Sequence, residues 1–341
     1  MSSIKVSYIL PCYNTGKYLR RCVESLLDQG FNNEEYEIIC VNNAATDNTQ
    51  ELLADLSSTF PVVKVVTLLV NQCSGGAYNA GVDIAQGKYV QFVDSDDYIK
   101  RGSVLRLYNL MESKSLEMLY FNIESFSGDD QLTHIDDLVF NGNIKNDINV
   151  TSGDGFLSEF LNSHEVGIIP VPAYRKIILR EKLLESEIRF SHTTIGTDFV
   201  HNIELLSKFT KIAAICDKLY MFRYNPDGVT KSKMTSSKIV YALNNYSKAF
   251  EIVQEAKWRE SNKEIIHKEL INTINYYLSF IRLFNSEEFL WIYQQLYHIK
   301  TIQVVAQKTT SKFFLKYPKI YSEFIKIMPA FFIKIAYRII N

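Results

Sequence analysis

The first half of the chain predicts an α/β fold with a largely parallel sheet, on three observations. Short apolar runs rich in β-branched and aromatic residues recur at 4–10, 37–41, 62–70 and 89–93. Such runs, bounded by polar and turn-forming residues, read as buried strands. The segments between them carry helical periodicity, and strands alternating with helices imply right-handed crossovers and a sheet covered on both faces.

Ile4 to Leu10 reads as a strand ended by Pro11, with Pro11-Cys12-Tyr13-Asn14 as a loop. From Thr15 a helix follows, its apolar face formed by Tyr18, Leu19, Cys22, Val23, Leu26 and Leu27 at 3.6-residue spacing. Glu37 to Val41 is the second strand. Asn42 to Thr46 forms the next loop, and a helix begins from Asp47, with Asp47 as its cap and Gln50 as the return partner. Val62 to Val70 is the third strand. The loop Asn71 to Gly76 opens a helix over Ala77 to Gln86, which Gly87 ends. Tyr89 to Val93 is the fourth strand. The loops after these strands gather on one edge of the sheet, where open α/β folds bind ligands.

The fourth strand runs directly into Asp94, Asp96 and Asp97, three carboxylates within four residues. Packing them together costs repulsion unless a cation sits between them. Asp94-Ser95-Asp96 therefore reads as a site for Mg²⁺ or Mn²⁺ on a substrate phosphate. A solvated acidic turn is the alternative for this stretch taken alone.

Further on, 102–113 looks helical and 116–123 looks like a strand. The polar stretch 125–149 reads as a surface excursion. Ala173 to Leu179 reads as a strand, and a helix runs from Asp198 with Phe199, Ile203 and Leu206 as its apolar ridge. Lys211 to Cys216 and Lys218 to Arg223 read as two short strands. A turn at 224–228 and a basic loop, Lys231-Ser232-Lys233, follow. After Gly228 there is no glycine and helical patterns dominate. A boundary is placed there, giving an α/β domain over 1–234 and a helical region over 235–341. The last stretch, 317–340, is amphipathic and basic. It suits either an ordinary docked helix or peripheral contact with a membrane surface.

A net charge of −1 argues against nucleic acid as the main partner. Five scattered cysteines with no CxxC argue against a disulfide framework or structural zinc. The run Val6 to Leu10 is too short for the core of a secretion signal. A reduced, cytoplasmic protein is expected, with the inner face of the membrane among the locations and a homodimer among the assemblies considered. No G-x-x-x-x-G-K-[ST] loop, HExxH pair or G-x-G-x-x-G after the first strand is present.

Five stretches, in order, resemble glycosyltransferase family 2, whose members have the GT-A fold. Val6 to Asn14 resembles the family's opening strand and loop. Glu37 to Val41 followed by Asn42-Asn43-Ala44-Ala45-Thr46-Asp47 resembles V-D-D-G-S-T-D. Asn71 to Gly81 resembles N-x-G-x-x-x-A-R-N-x-G, Asp94-Ser95-Asp96-Asp97 resembles the DxD motif, and Ile195-Gly196-Thr197-Asp198 resembles a later G-E-D segment. The resemblance implies inverting transfer of a sugar from a nucleotide donor, often UDP-linked, to a hydroxyl of a glycan or lipid-linked acceptor. It implies Asp96 as the main metal ligand, with Asp94 near the ribose or metal. Tyr13 would stack on the base, Asn43 would meet the base edge, and Asp198 would be the catalytic base. Pro11, Asn14, Gly75, Asn79 and Ser95 fall within the same donor-binding motifs. His201, one turn after Asp198, reads as a structural histidine rather than a ligand. Arg223, Lys231 and Lys233 are candidates to close over a diphosphate.

The chain departs from the family pattern at four places. Asn42-Asn43 stands for two acids, Ala44-Ala45 for Gly-Ser, Tyr78 for an Arg, and Thr197 for a Glu. These changes bear on donor choice. They also keep two rivals in view: a sugar nucleotidyltransferase, and a protein that binds nucleotide sugar without turning it over.

Overall fold

The computed structural model describes residues 4–127, 133–134, 144–162, 172–224, 233–280, 285–296, 299 and 301. The N-terminal half alternates as expected: β1 (Val6–Cys12), α1 (Gly16–Leu27), β2 (Tyr36–Asn42), α2 (Thr49–Thr59), β3 (Val63–Thr67), α3 (Cys73–Ile84) and β4 (Tyr89–Phe92). Then come β5 (Tyr98–Ile99), α4 (Ser103–Ser113), β6 (Met118–Ser127), β7 (Thr133–His134), β8 (Ile148–Thr151) and α5 (Gly153–Asn162). A 3-10 turn at Ala173–Arg175 leads into β9 (Lys176–Leu179), α6 (Arg180–Glu185), α7 (Thr197–Lys208) and β10 (Ile212–Arg223). Three helices close the described chain: α8 (Ser236–Glu255), α9 (Glu260–Phe280) and α10 (Ser286–Leu296).

Among the described residues the strands form one mixed sheet in the order β3-β2-β1-β4-β9-β6-β10-β5, with β7 on β6 and β8 on β10. The four N-terminal strands are mutually parallel. β9 enters antiparallel between β4 and β6, and β6 and β10 are parallel to each other. Odd and even residues of β1 part to opposite faces. Tyr8 and Leu10 pack with α1 residues Leu19, Cys22, Val23 and Leu26, while Ile9 packs with Tyr78 and Val82 of α3.

Several boundaries differ from the sequence expectation, each for a local reason. Pro11 does not end β1. Ile9 O accepts Val93 N–H on the β4 side, so Pro11, two residues on, turns its missing donor to that same side. There β4 has already ended, and Ser95 Oγ donates to the Pro11 carbonyl at 2.7 Å. β3 stops at Thr67 because β2 ends at Asn42, whose carbonyl takes the Leu68 N–H; Leu69 beyond it is 96% exposed. α3 begins at Cys73, so Gly75 and Gly76 lie in its first turn rather than in a loop. The expected Asp47–Gln50 box does not form. Instead Asp47 accepts the Thr49 N–H at the start of α2 and the Gly16 N–H at the start of α1. The Ala173–Leu179 strand is a 3-10 turn followed by β9. The two short strands at 211–223 are one strand, irregular between Ala214 and Lys218. The 125–149 stretch holds the end of β6, the short β7 and the start of β8. The turn beyond Tyr224, Lys231 and the basic segment 317–340 lie outside the described residues.

The core continues past residue 234. Ala249 and Val253 of α8, Trp258, and Ile266 and Leu270 of α9 are buried in one cluster with Phe92, Phe156, Phe190 and Ile203. None of the five cysteines is paired. No described helix is long and apolar enough to cross a membrane. Because Leu270 is 1% exposed within the shared core, Leu270→Ala is expected to lower stability by about 2–5 kcal/mol. Urea melts followed by near-UV signals of the α/β half should shift together with the helical signal.

Candidate active site

The exit of β4 carries the acids. Asp97 is buried and accepts Tyr220 Oη–H and Arg223 N–H, both at 2.6 Å. Tyr220 Oη also accepts the Asp94 N–H at 3.0 Å, and its ring stacks on Tyr174, 4.6 Å between centroids. Asp97 is thus a structural acid that fixes the turn. Burial first, then the Asp96 and Asp94 charges, push its carboxyl well above the usual range. Asp94 is partly buried, and Tyr78 of α3 donates to its Oδ1. Burial, helped by the charges of Asp96 and Asp198, pushes Asp94 up to about 7 against that hydrogen bond. Burial also raises Asp96, opposed by its own backbone N–H and by Arg223. Arg223 is itself buried: its Nε donates to Asp96 O at 2.9 Å, and its guanidinium lies 4.4 Å from the Tyr18 ring centroid.

The loops after β1, β2 and β3 close around this turn through side-chain amides. Asn14 Oδ1 accepts Thr46 N–H at 2.8 Å, joining the first two loops. Asn42 Oδ1 accepts Ala45 N–H at 3.1 Å. Asn43 is buried; its Oδ1 accepts Gln72 N–H at 2.8 Å and its Nδ2 donates to Cys73 O at 3.0 Å. A carboxylate could not make the second bond. Asn14, Ala44 and Cys73 all adopt left-handed backbone, with φ of 54°, 57° and 59°. Strain of that kind gathers where loops must present a site. Tyr13, in the loop after β1, is 44% exposed.

Asp198 sits in the first turn of α7. Its Oδ2 accepts the Ala173 N–H at 3.4 Å. Burial raises its carboxyl, opposed by the Lys176 ammonium and that N–H. Its charge is felt by Tyr78 as well as by Asp94, so the two acids lie near one another; Phe190 bridges them, packed on Tyr78 and on His201 one turn after Asp198. The loop before it is anchored from two sides. Asn79 of α3 makes a two-way bond with Phe190, Nδ2 to O at 2.9 Å and Oδ1 from N–H at 3.0 Å. Asn245 of α8 donates to Thr193 Oγ1 at 2.8 Å and Ile195 O at 2.6 Å. Gly75 lets α3 approach this loop: a Cβ there would lie 2.3 Å from Ser191 O. His201 is buried and stacks on Phe190 at 3.6 Å between centroids, and burial holds its pKa well below the usual value. It packs as a neutral ring.

Pro11, Tyr13, Asn14, Asn43, Gly75, Asn79, Asp94, Ser95, Asp96, Asp198 and Arg223 lie in the strands, helices and loops described above, while Lys231 falls outside the described residues. Lys233 is exposed, away from any described bond to the acids. Sequence reasoning missed Tyr220, Lys176 and Asn245. Each reaches the site from far along the chain and carried no local signal, unlike Tyr78, which stood out as a departure from its motif.

Among the described residues, no three His, Cys, Asp or Glu side chains converge as a ready-made metal site. Asp97 is engaged elsewhere, which leaves Asp94 and Asp96. Two neighbouring carboxylates, one of them pushed up to about 7 by burial first and then by the charge of the other, fit a divalent cation whose other ligands are phosphate oxygens and water.

The family model for glycosyl transferase family 2 matches residues 7–163. Glycosyltransferase GlyG of Streptococcus pneumoniae is 30% identical over 239 residues, covering 68% of this chain and 75% of that protein. Poly(ribitol-phosphate) beta-glucosyltransferase of Bacillus spizizenii is 28% identical over 227 residues, 66% of this chain but 33% of that longer protein. The crystal structure of Staphylococcus aureus TarS residues 1–349 with UDP-GlcNAc superposes with a TM-score of 0.70 at 20% identity, over 90% of this chain and 83% of that one. The fold is that of the GT-A glycosyltransferases. The chain belongs to glycosyl transferase family 2 and is a glycosyltransferase of glycan assembly.

Two predictions follow from the loop strain and the acid cluster. Ala44→Gly removes the left-handed strain at φ 57° and should raise stability by about 1 kcal/mol in urea melts. Asp94 keeps its proton in the folded chain at pH values where the unfolded chain has lost it. Stability of the metal-free protein should therefore fall as pH rises from the ordinary carboxylate range through about 7. Melting temperatures between about pH 5 and 8 should show that fall, and Asp94→Asn should flatten it.

Proposed function

We propose that the chain is an inverting transferase that moves a sugar from a nucleoside-diphosphate donor, UDP-linked, to a hydroxyl of a surface polysaccharide or lipid-linked glycan. The observation that carries this reading is that Asp198, 104 positions further along the sequence, comes near enough to Asp94 at the end of β4 for its charge to raise that carboxyl, with Phe190 packed on both Tyr78, the partner of Asp94, and His201, one turn after Asp198. The UDP assignment is supported by the UDP-GlcNAc complex of the structural neighbour.

In the proposed reaction Asp198 takes the proton as the acceptor O–H bond breaks. The acceptor oxygen bonds the anomeric carbon from the face opposite the leaving group. The anomeric C–O bond breaks, and its electron pair leaves on the nucleoside diphosphate. Mg²⁺ or Mn²⁺ held by Asp94 and Asp96 would supply counter-charge to that diphosphate. Tyr13 offers a face for the base, and Asn14 and Asn43 hold the loops beneath it. A positioned carboxylate base is worth about 10²–10⁴-fold in rate.

A panel of nucleotide sugars with Mn²⁺ or Mg²⁺ and hydroxyl acceptors, read by nucleoside diphosphate release, tests this. Turnover is expected with a UDP-sugar. It should fall at least about 10²-fold in Asp198→Ala, and by a comparable factor in Asp96→Ala. Pyrophosphate release instead of nucleoside diphosphate would refute the transferase reading.

A further inference from the structure

Lys176, the first residue of β9, is fully buried. A buried ammonium is costly and needs a reason. Its Nζ donates to Pro172 O at 2.8 Å and lies 5.5 Å from the Tyr120 ring centroid. The N–H of that same peptide group, on Ala173, donates to Asp198 Oδ2. One peptide unit therefore links the ammonium on its oxygen side to the carboxylate on its nitrogen side. A cation at a carbonyl oxygen polarises the amide and strengthens donation from its N–H. The 3-10 turn Ala173–Arg175 keeps the two bonds within four residues of each other.

We propose that Lys176 is a positioning residue that acts through the Pro172–Ala173 peptide to orient Asp198 and keep it charged for proton abstraction. This rests on the reading of Asp198 as the base. Lys176 does not touch substrate; it acts on the group that does. The charged and titratable groups whose fields reach Asp198 come from every side of it. They are Lys176 on β9, Tyr174 in the turn, Asp94 beyond β4, Tyr78 on α3 and Tyr246 on α8. Among the described residues Lys176 is the only cation of that group. Burial and the neighbouring Arg175 pull it down to about 7 against the support of Asp198. Its charge is therefore present below about pH 7, on the acidic side where a raised Asp198 carboxyl takes up its proton.

The test is the pH profile of kcat at saturating donor, metal and acceptor. Lys176→Met keeps the apolar stem and removes the charge. Its acidic limb should move up by about one pH unit, with kcat at neutral pH falling about 10-fold and donor affinity within about two-fold of the parent. Lys176→Arg should keep the limb near its original place. A limb that stays put in Lys176→Met, or moves as far in Lys176→Arg, overturns the proposal. If Lys176→Met does not fold, Lys176→Gln, which retains a donor but no charge, is read the same way. Asp198→Asn separates the two claims. If it keeps turnover and the limb, the base assignment fails, and the role of Lys176 with it. If it loses turnover while the limb of Lys176→Met is unmoved, the Lys176 proposal alone fails.

Discussion

The constraint that organises this molecule is the crowding of carboxylates at one edge of its sheet. Asp94, Asp96 and Asp97 leave β4 together, and Asp198 at the start of α7 lies near enough for its charge to reach Asp94. Each is raised by burial, and the charges of Asp94 and Asp96 make this worse for their neighbours. Such a cluster persists only if every member has a distinct partner. Tyr220 and a backbone N–H hold Asp97, Tyr78 holds Asp94, Arg223 braces the Asp96 backbone, and the Ala173 N–H holds Asp198. The partners come from α3, the turn before β9, and β10. The antiparallel β9 wedged beside β4 is what brings the last two within reach.

The departures from the family motifs make physical sense within that frame. Asn43 donates to a carbonyl, which an aspartate could not do, and so pins the strained Cys73 at the start of α3. Ala44 tolerates a conformation that suits glycine, so it is a strained solution rather than a change of shape. Tyr78 gives Asp94 a neutral hydrogen bond in place of a cation. That leaves the carboxyl pair more repulsive, and more in need of a divalent ion, than an arginine would.

The alternating strands and helices up to β4 were legible because their apolar runs and periodicities are local. The burial of Leu19, Cys22, Val23 and Leu26 on one face of α1 follows directly from spacing. Asp94 and Asp96 were visible because three acids after a strand are conspicuous. What the sequence could not show was set by contacts between distant segments. The tolerance of Pro11 within β1 depends on where β4 ends. The start of α3 depends on Asn71 capping Cys73 and on a close approach to Ser191. β9 runs antiparallel because it fills the gap between β4 and β6, and no local pattern encodes that. Lys176 looks like any strand lysine until Pro172 and Asp198 are placed around it.

A division of labour joins these features. In the proposed reaction the β4 acids would grip the donor through a cation, and the α7 acid would serve the acceptor. The helices after residue 234 support the second half, since Asn245 anchors the loop that carries Asp198. Calorimetric titration of UDP with Mn²⁺ into the parent and into Asp94→Asn, Asp96→Asn and Asp198→Asn addresses this most directly. The account predicts that metal-dependent UDP binding is lost in the first two and retained in Asp198→Asn, while all three lose turnover. UDP binding of equal strength in all four proteins, with or without Mn²⁺, would contradict it.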